Sequence, residues 1–360
     1  MDSYHKHATP QDISSTKKDI NGITCTIYGL SELPKDVSAL SVLWLLHPRL
    51  QTADTMTRFA AQAITVWNSR PSKSPARGLI GVAFDQRNHG LRLEEPLRNE
   101  AWRQGNPTHA HDMYATYKGT SDDCSALITE LPKHLPSGLP APSQHIVLGV
   151  SLGAHAAWQS VITDRRVTAA VSIIGCPDFQ RLMAQRASKS KLADWDNSSP
   201  AGTSFFGSAS FPDDLVDLVE KTNPAGKLMP IEIQAVLMPP LAVPKPESLA
   251  PALLSTAYKL RLNRTLKGKA VLNLSGGKDK LVPYSASKTF LDYLKAASQN
   301  GEKGWWKNNQ FTLDDIIFKD AGHEATPEMI ATSVAFICGV VGGDIFTEVQ
   351  PIRGAKKTKI

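Results

Sequence analysis

The sequence predicts an α/β fold: a mostly parallel central sheet flanked by helices, with an excursion inserted before the last strands. Three observations carry this reading. Apolar runs of strand length alternate with segments of helical apolar spacing over residues 21–177 and again over 268–345. Several runs are apolar almost throughout, as in Val42-Leu43-Trp44-Leu45-Leu46, which suits strands covered on both faces. Between residues 178 and 267 the alternation fails, and Ser and Pro clusters with short amphipathic pieces take its place.

Taken in order, residues 1–20 mix His, Lys, Asp and Ser without apolar periodicity and are expected to be a loose N-terminal arm. Strands are expected at 23–28, 40–46 and 79–84, with a helix at 53–67 between the last two. A polar loop (91–108) precedes a long helix, or a broken pair, over 112–131, closed by Pro132 and Pro136. A strand at 146–150, a helix at 154–162 and a strand at 167–174 follow. After the excursion the expected order is strand 270–274, helix 285–297, strand 311–318 and helix 327–341, ending in a basic tail at 346–360.

Composition narrows the function. With 360 residues and 41% hydrophobic content the chain can bury a large core, and its net charge of +6 comes from scattered Lys and Arg apart from the tail. That distribution gives no nucleic-acid groove. Four cysteines, Cys25, Cys124, Cys176 and Cys338, stand far apart with no Cys-x-x-Cys pair and read as reduced core residues. The polar N-terminus is no signal peptide and no apolar run spans a bilayer. The expectation is therefore a soluble, cytoplasmic protein that binds no membrane.

The stretch richest in chemistry is His145-Ile-Val-Leu-Gly-Val-Ser-Leu-Gly-Ala-His155, in which an apolar strand turns through Gly149-Val-Ser-Leu-Gly153 into a helix. A Gly-x-Ser-x-Gly turn in that context is a nucleophile elbow with Ser151 at its tip. A serine hydroxyl needs a base within reach and an acid to orient the base. Two later loops answer in order: Asp279 in Ser275-Gly-Gly-Lys-Asp-Lys-Leu-Val-Pro283, and His323 in Lys319-Asp-Ala-Gly-His-Glu-Ala-Thr-Pro327. Both follow strand ends, where open α/β sheets place their ligands. Asp320 and Glu324 flank the histidine, Asp320 being the better rival for the acid role. The oxyanion of an acyl transfer calls for backbone donors. The Leu152 N–H, directly after Ser151, is one; Arg49 is the expected second, since Pro48 in the His47-Pro-Arg loop has no N–H.

Other signals are weaker. His109-Ala-His111-Asp112 lacks further ligands at metal spacing and reads as a helix start, so no metal is expected. His89 beside Gly90 reads first as a loop stabiliser, with substrate contact as the alternative. Met229, Met238, Leu241 and Val243 read first as core; Met238, with His47 and His89, is carried forward as a substrate contact.

Together the elbow, the Asp279 and His323 loops, the Asp85-Gln-Arg-Asn-His-Gly90 segment and the His47 loop resemble the α/β-hydrolase superfamily over roughly residues 20–345. Gly149-Val-Ser-Leu-Gly-Ala-His155 and Gly322-His-Glu-Ala-Thr-Pro-Glu-Met329 resemble its esterase branch, related to dienelactone hydrolases and single-domain prolyl-oligopeptidase-like enzymes. Two departures stand out: His47-Pro48 where many relatives have His-Gly, and a long segment, 228–266, which implies a lid over residues 178–267. The resemblance implies an α/β-hydrolase fold and a serine hydrolase acting without cofactor on an ester, thioester or lactone of a small to medium, partly apolar acyl substrate. Arg49 at the mouth adds an anionic group to that substrate. A ligand-binding receptor with little turnover and an acyltransferase would share these residues. Neither nucleic acid nor membrane is expected as a partner, and a homodimer is compatible with this reading.

Overall fold

The computed structural model describes residues 12–70, 76–229, 256–298 and 311–344. Eight strands form one sheet: β1 (Ser15–Ile20), β2 (Ile23–Tyr28), β3 (Ala39–Leu46), β4 (Arg77–Phe84), β5 (Pro142–Val150), β6 (Val167–Ile173), β7 (Ala270–Gly276) and β8 (Thr312–Phe318). Their spatial order is β1-β2-β4-β3-β5-β6-β7-β8. The β1–β2 and β2–β4 pairs are antiparallel and every other pair is parallel.

Side-chain alternation along the central strands explains why their sequences are apolar throughout. Val42, Trp44 and Leu46 of β3 point into one core, whereas Leu43 and Leu45 point into the other. The first core is roofed by α2 (His109–Glu130), α3 (Leu152–Thr163) and α9 (Tyr284–Ser298), the second by α1 (Thr57–Asn68) and α10 (Pro327–Gly342). Helix α3 is buried from Leu152 to Ile162.

Some expectations need correction. Residues 15–20, read as part of a loose arm, form β1, an edge strand whose first five residues are exposed. No apolar pattern marks it because solvent covers both its faces, and Lys17 and Lys18 discourage pairing beyond it. The second long helix is a single helix of 22 residues that starts at His109. Residues 1–11, most of the apolar part of the excursion (230–255) and the basic tail lie outside the described residues.

The described part of the excursion contains α4 (Phe179–Ser190), α5 (Ala193–Asp196), α6 (Asp213–Thr222), α7 (Pro224–Leu228) and α8 (Thr256–Leu266). It shares the main core. Phe179 packs against Tyr114 and Tyr117 of α2 with ring centroids 5.0 and 5.6 Å apart, and against Phe211 at 6.1 Å. Asn223 accepts from the Phe179 amide and donates to the buried Tyr117 hydroxyl. The boundary at Asp178 is thus a change of secondary structure within one continuous core.

All four cysteines are buried and unpaired, as their spacing suggests. No helix among the described residues is long and apolar enough to cross a membrane.

Close approach at β5 and α3 sets a steric demand. A Cβ on Gly149 would lie 2.0 Å from the Gly153 carbonyl oxygen, and one on Gly153 would lie 2.1 Å from that of Leu46. Gly339 in α10 has open space around it. Urea unfolding should show Gly153→Ala costing about 3 kcal/mol, since backbone must move, whereas Gly339→Ala should gain about 1 kcal/mol from helix propensity.

Candidate active site

Ser151 sits at the junction of β5 and α3 with φ 52° and ψ −112°, a conformation that L-residues rarely adopt. Neighbouring backbone holds it there. The Ser151 N–H donates to Ile173 O of β6 at 2.9 Å, while its carbonyl accepts the Ala154 and His155 amides of the first helical turn. The two glycines remove the side chains that would prevent the turn from closing.

The turn exposes the hydroxyl to one imidazole. Ser151 Oγ lies 2.8 Å from His323 Nε2, and His323 Nδ1 lies 2.8 Å from Asp279 Oδ2. The other oxygen of Asp279 accepts the Leu281 and Val282 amides at 2.8 and 2.9 Å, which fixes the carboxylate in its turn. The Asp279 side chain is wholly buried and that of His323 is 18% exposed. With Nδ1–H given to the carboxylate, Nε2 is left to accept the serine proton, and such an arrangement can activate a hydroxyl for attack. Asp320 is mostly solvent-exposed and pairs with Lys278 instead, and Glu324 accepts from the Gly322 amide. Of the three carboxylates near the histidine, the structure brings Asp279 to it.

Leu152 opens α3, where the helix offers its first amides no internal acceptor. The β3 loop runs beside this turn: Leu46 and His47 carbonyls face Gly153, so Pro48 and Arg49 leave the sheet next to Ser151.

His47 itself has a different place from the one expected. It is fully buried, its Nδ1 donates to Pro48 O at 2.7 Å and its Nε2 accepts the Gln86 amide at 2.9 Å. Both nitrogens are taken, so the ring ties the β3 and β4 loops together and has no polar atom for a substrate. The Gln86 side chain completes the tie by donating to His47 O. Asp85 does similar work, accepting the Ala53 and Leu91 amides on its two oxygens. His89 is also buried; Nδ1 donates to Arg87 O, the ring meets His47 edge-on at 5.4 Å, and Nε2 has no partner. Met238 lies outside the described residues.

Sequence reasoning missed Arg186, on α4. Its guanidinium donates to Leu281 O of the Asp279 loop and to His109 Nε2 at 3.1 Å, while His109 Nδ1 donates to Glu100 O. Arg49 donates to the adjacent Asn99 O at 2.9 Å. The two cations therefore stand on either side of one stretch of loop, and neither makes an ion pair among the described residues. Burial, and then the charge of Arg49, bring the Arg186 pKa down to about 10. A lone Arg on an amphipathic helix carries no local signal of such a position.

Five buried histidines, His89 among them, are held neutral. Burial is the leading cause for each, lowering His47 and His145 to about 4 and His109 and His155 to about 3. His155 is further tied to Cys176 through Nδ1 and the Cys176 carbonyl.

The family described as "Alpha/beta hydrolase family" matches residues 43–331. No curated protein matches the chain significantly in sequence. Among solved structures, TT1662 from Thermus thermophilus superposes with a TM-score of 0.50 at 16% identity, over 92% of this chain and 99% of that one. The Pyrococcus horikoshii acylaminoacyl peptidase gives 0.48 at 11%, over 97% and 43%, and the Pyrococcus furiosus esterase Pf2001 gives 0.44 at 12%, over 91% and 94%. At such identities a likeness concerns the fold alone.

The neutral histidines make stability depend on pH. Each has a folded pKa below its ordinary 6.5, so the unfolded chain takes up protons that the folded chain refuses. Their contribution is complete above 6.5 and is lost as the pH falls through about 4 for His47 and His145 and toward about 3 for His109 and His155. Urea unfolding should give a smaller free energy at pH 5 than at pH 7, and His155→Gln should reduce that difference.

Proposed function

The chain belongs to the alpha/beta hydrolase family, and on that premise we propose that it is a serine hydrolase cleaving an ester, thioester or lactone through an acyl-enzyme. The observation that carries the reading is the unbroken run from Ser151 Oγ through His323 to the buried Asp279, each link 2.8 Å. Ser151 attacks the acyl carbon as His323 Nε2 takes its proton. Asp279 holds the imidazole in the tautomer that accepts, and stabilises the imidazolium that forms. His323 then returns the proton to the leaving group, and a water activated by the same imidazole releases the acid.

The developing oxyanion is assigned to the Leu152 amide, at the positive end of α3, together with the Arg49 amide. Pro48, between His47 and Arg49, cannot serve. The fold provides the remaining components from its own backbone, and the chemistry requires no metal or organic cofactor.

Substrate selection is assigned to the two guanidiniums at the rim. Arg49 and Arg186 donate to neutral acceptors and to no carboxylate, and burial disfavours the charge of both. Glu100 and Asp279 act on these guanidiniums only through space, and a substrate with an anionic group beside its acyl bond would give them a directly bonded counter-charge.

Three variants test this. Ser151→Ala should abolish both p-nitrophenyl ester turnover and fluorophosphonate labelling, and labelling that survives would move the nucleophile elsewhere. Asp279→Asn should lower kcat by about 10⁴-fold with the fold intact. In Arg49→Met, kcat/KM should fall about ten- to a hundredfold for esters bearing a carboxylate, the loss of one charge-assisted bond, and much less for neutral esters; equal losses would dismiss the anionic substrate.

A further inference from the structure

A cavity lies at the opposite ends of the sheet's strands from Ser151. Ser151, Asp279 and His323 all follow C-terminal strand ends, whereas Arg165 directly precedes β6 and Lys269 directly precedes β7. The cavity has a volume of about 490 Å³ and is walled by the last turn of α3, by Lys227 of α7 and by α8.

Its charge is one-sided. Arg165, Lys227, Arg261, Arg264 and Lys269 line it, and no carboxylate among the described residues does. Lys269 is occupied, donating to the Val161 and Asp164 carbonyls at the end of α3. Arg261 donates once, to Lys227 O, and lies over the Tyr258 ring at 5.2 Å. Among the described residues the Arg165, Lys227 and Arg264 side chains have no hydrogen-bond or ion-pair partner. Asp164, next to Arg165, is committed elsewhere: its oxygens take Arg166 and Ser125. Lys227 and Lys269 are both held below the ordinary lysine pKa by burial first; the charge of Asp164 partly offsets this at Lys269, and neighbouring cations add to it at both.

Like charges gathered around one cavity repel each other, and an anionic ligand bound among them would relieve that repulsion. Three guanidiniums and an ammonium suit the oxygens of a phosphate group, which arginine holds in paired hydrogen bonds. The volume falls within the range of small-molecule sites. Ile162 and the half-exposed Leu260 add an apolar patch larger than a bare ion needs.

We propose that this cavity binds the phosphate groups of a small organic molecule, as a ligand separate from the acyl substrate. The site goes beyond the hydrolase reading and does not depend on it, because none of its residues belongs to the Ser151 constellation.

The test is calorimetric titration of the full-length protein with pyrophosphate and with adenosine 5′-diphosphate in low-chloride buffer, since chloride screens such contacts. Saturable one-to-one binding is expected for both. Arg165→Ala/Arg264→Ala should weaken it by about tenfold or more, the equivalent of a lost charge-assisted hydrogen bond. Both replaced side chains are exposed, and an unchanged Tm of the ligand-free variant will show that the fold is intact. The proposal fails if pyrophosphate gives no saturable heat, or if the double variant binds it as the parent does. It also fails if Arg49→Met causes the larger loss, which would place the anion beside Ser151.

Discussion

The contact between the backbones of Gly149, Gly153 and Leu46 is the constraint on which the rest of the structure depends. Helix α3 can begin directly at the end of β5 only because no side chain separates the helix from the two central strands. That proximity bends Ser151 into its positive-φ conformation and aims its hydroxyl away from the sheet, toward the loops that follow β7 and β8. Strain of this sort persists only where the surroundings over-determine it. Here the surroundings are the β6 carbonyl that takes the serine amide and a helix buried along almost its whole length.

The histidines show how a single side-chain type is divided between structure and chemistry. His47, His109 and His155 are nearly or wholly buried, and each has a ring nitrogen bonded to a carbonyl of a nearby loop. Burial keeps them neutral; His47 and His109 are bonded at both ring nitrogens and brace two segments, whereas His155 is held at Nδ1 by Cys176 alone. His323 differs in having a carboxylate on one side, a hydroxyl on the other and partial access to solvent. The same ring is a strut in one setting and a proton carrier in the proposed mechanism, and the difference lies in its partners.

What the sequence disclosed follows the same division between local and distant causes. The central strands were legible because burial on both faces makes them apolar, and the elbow was legible because steric crowding demands glycines at fixed offsets. Asp279 and His323 could be found because each lies in a short loop after a recognisable strand. Strand β1 was not legible, since an exposed edge strand needs no apolar pattern. The part taken by His47 was missed because its partner, Gln86, is 39 residues away. Arg186 was missed for the same reason: its neighbours come from α2 and from the Asp279 loop, and nothing on α4 alone announces them.

Continuity between the excursion and the main core has a consequence for how this molecule can change over time. Because Phe179 and Asn223 interlock with the tyrosines of α2, the segment cannot be traded for a foreign one as a detachable cassette without unpicking the interior beneath it. Single substitutions along the described part of the segment disturb that interior less than an exchange of the whole would.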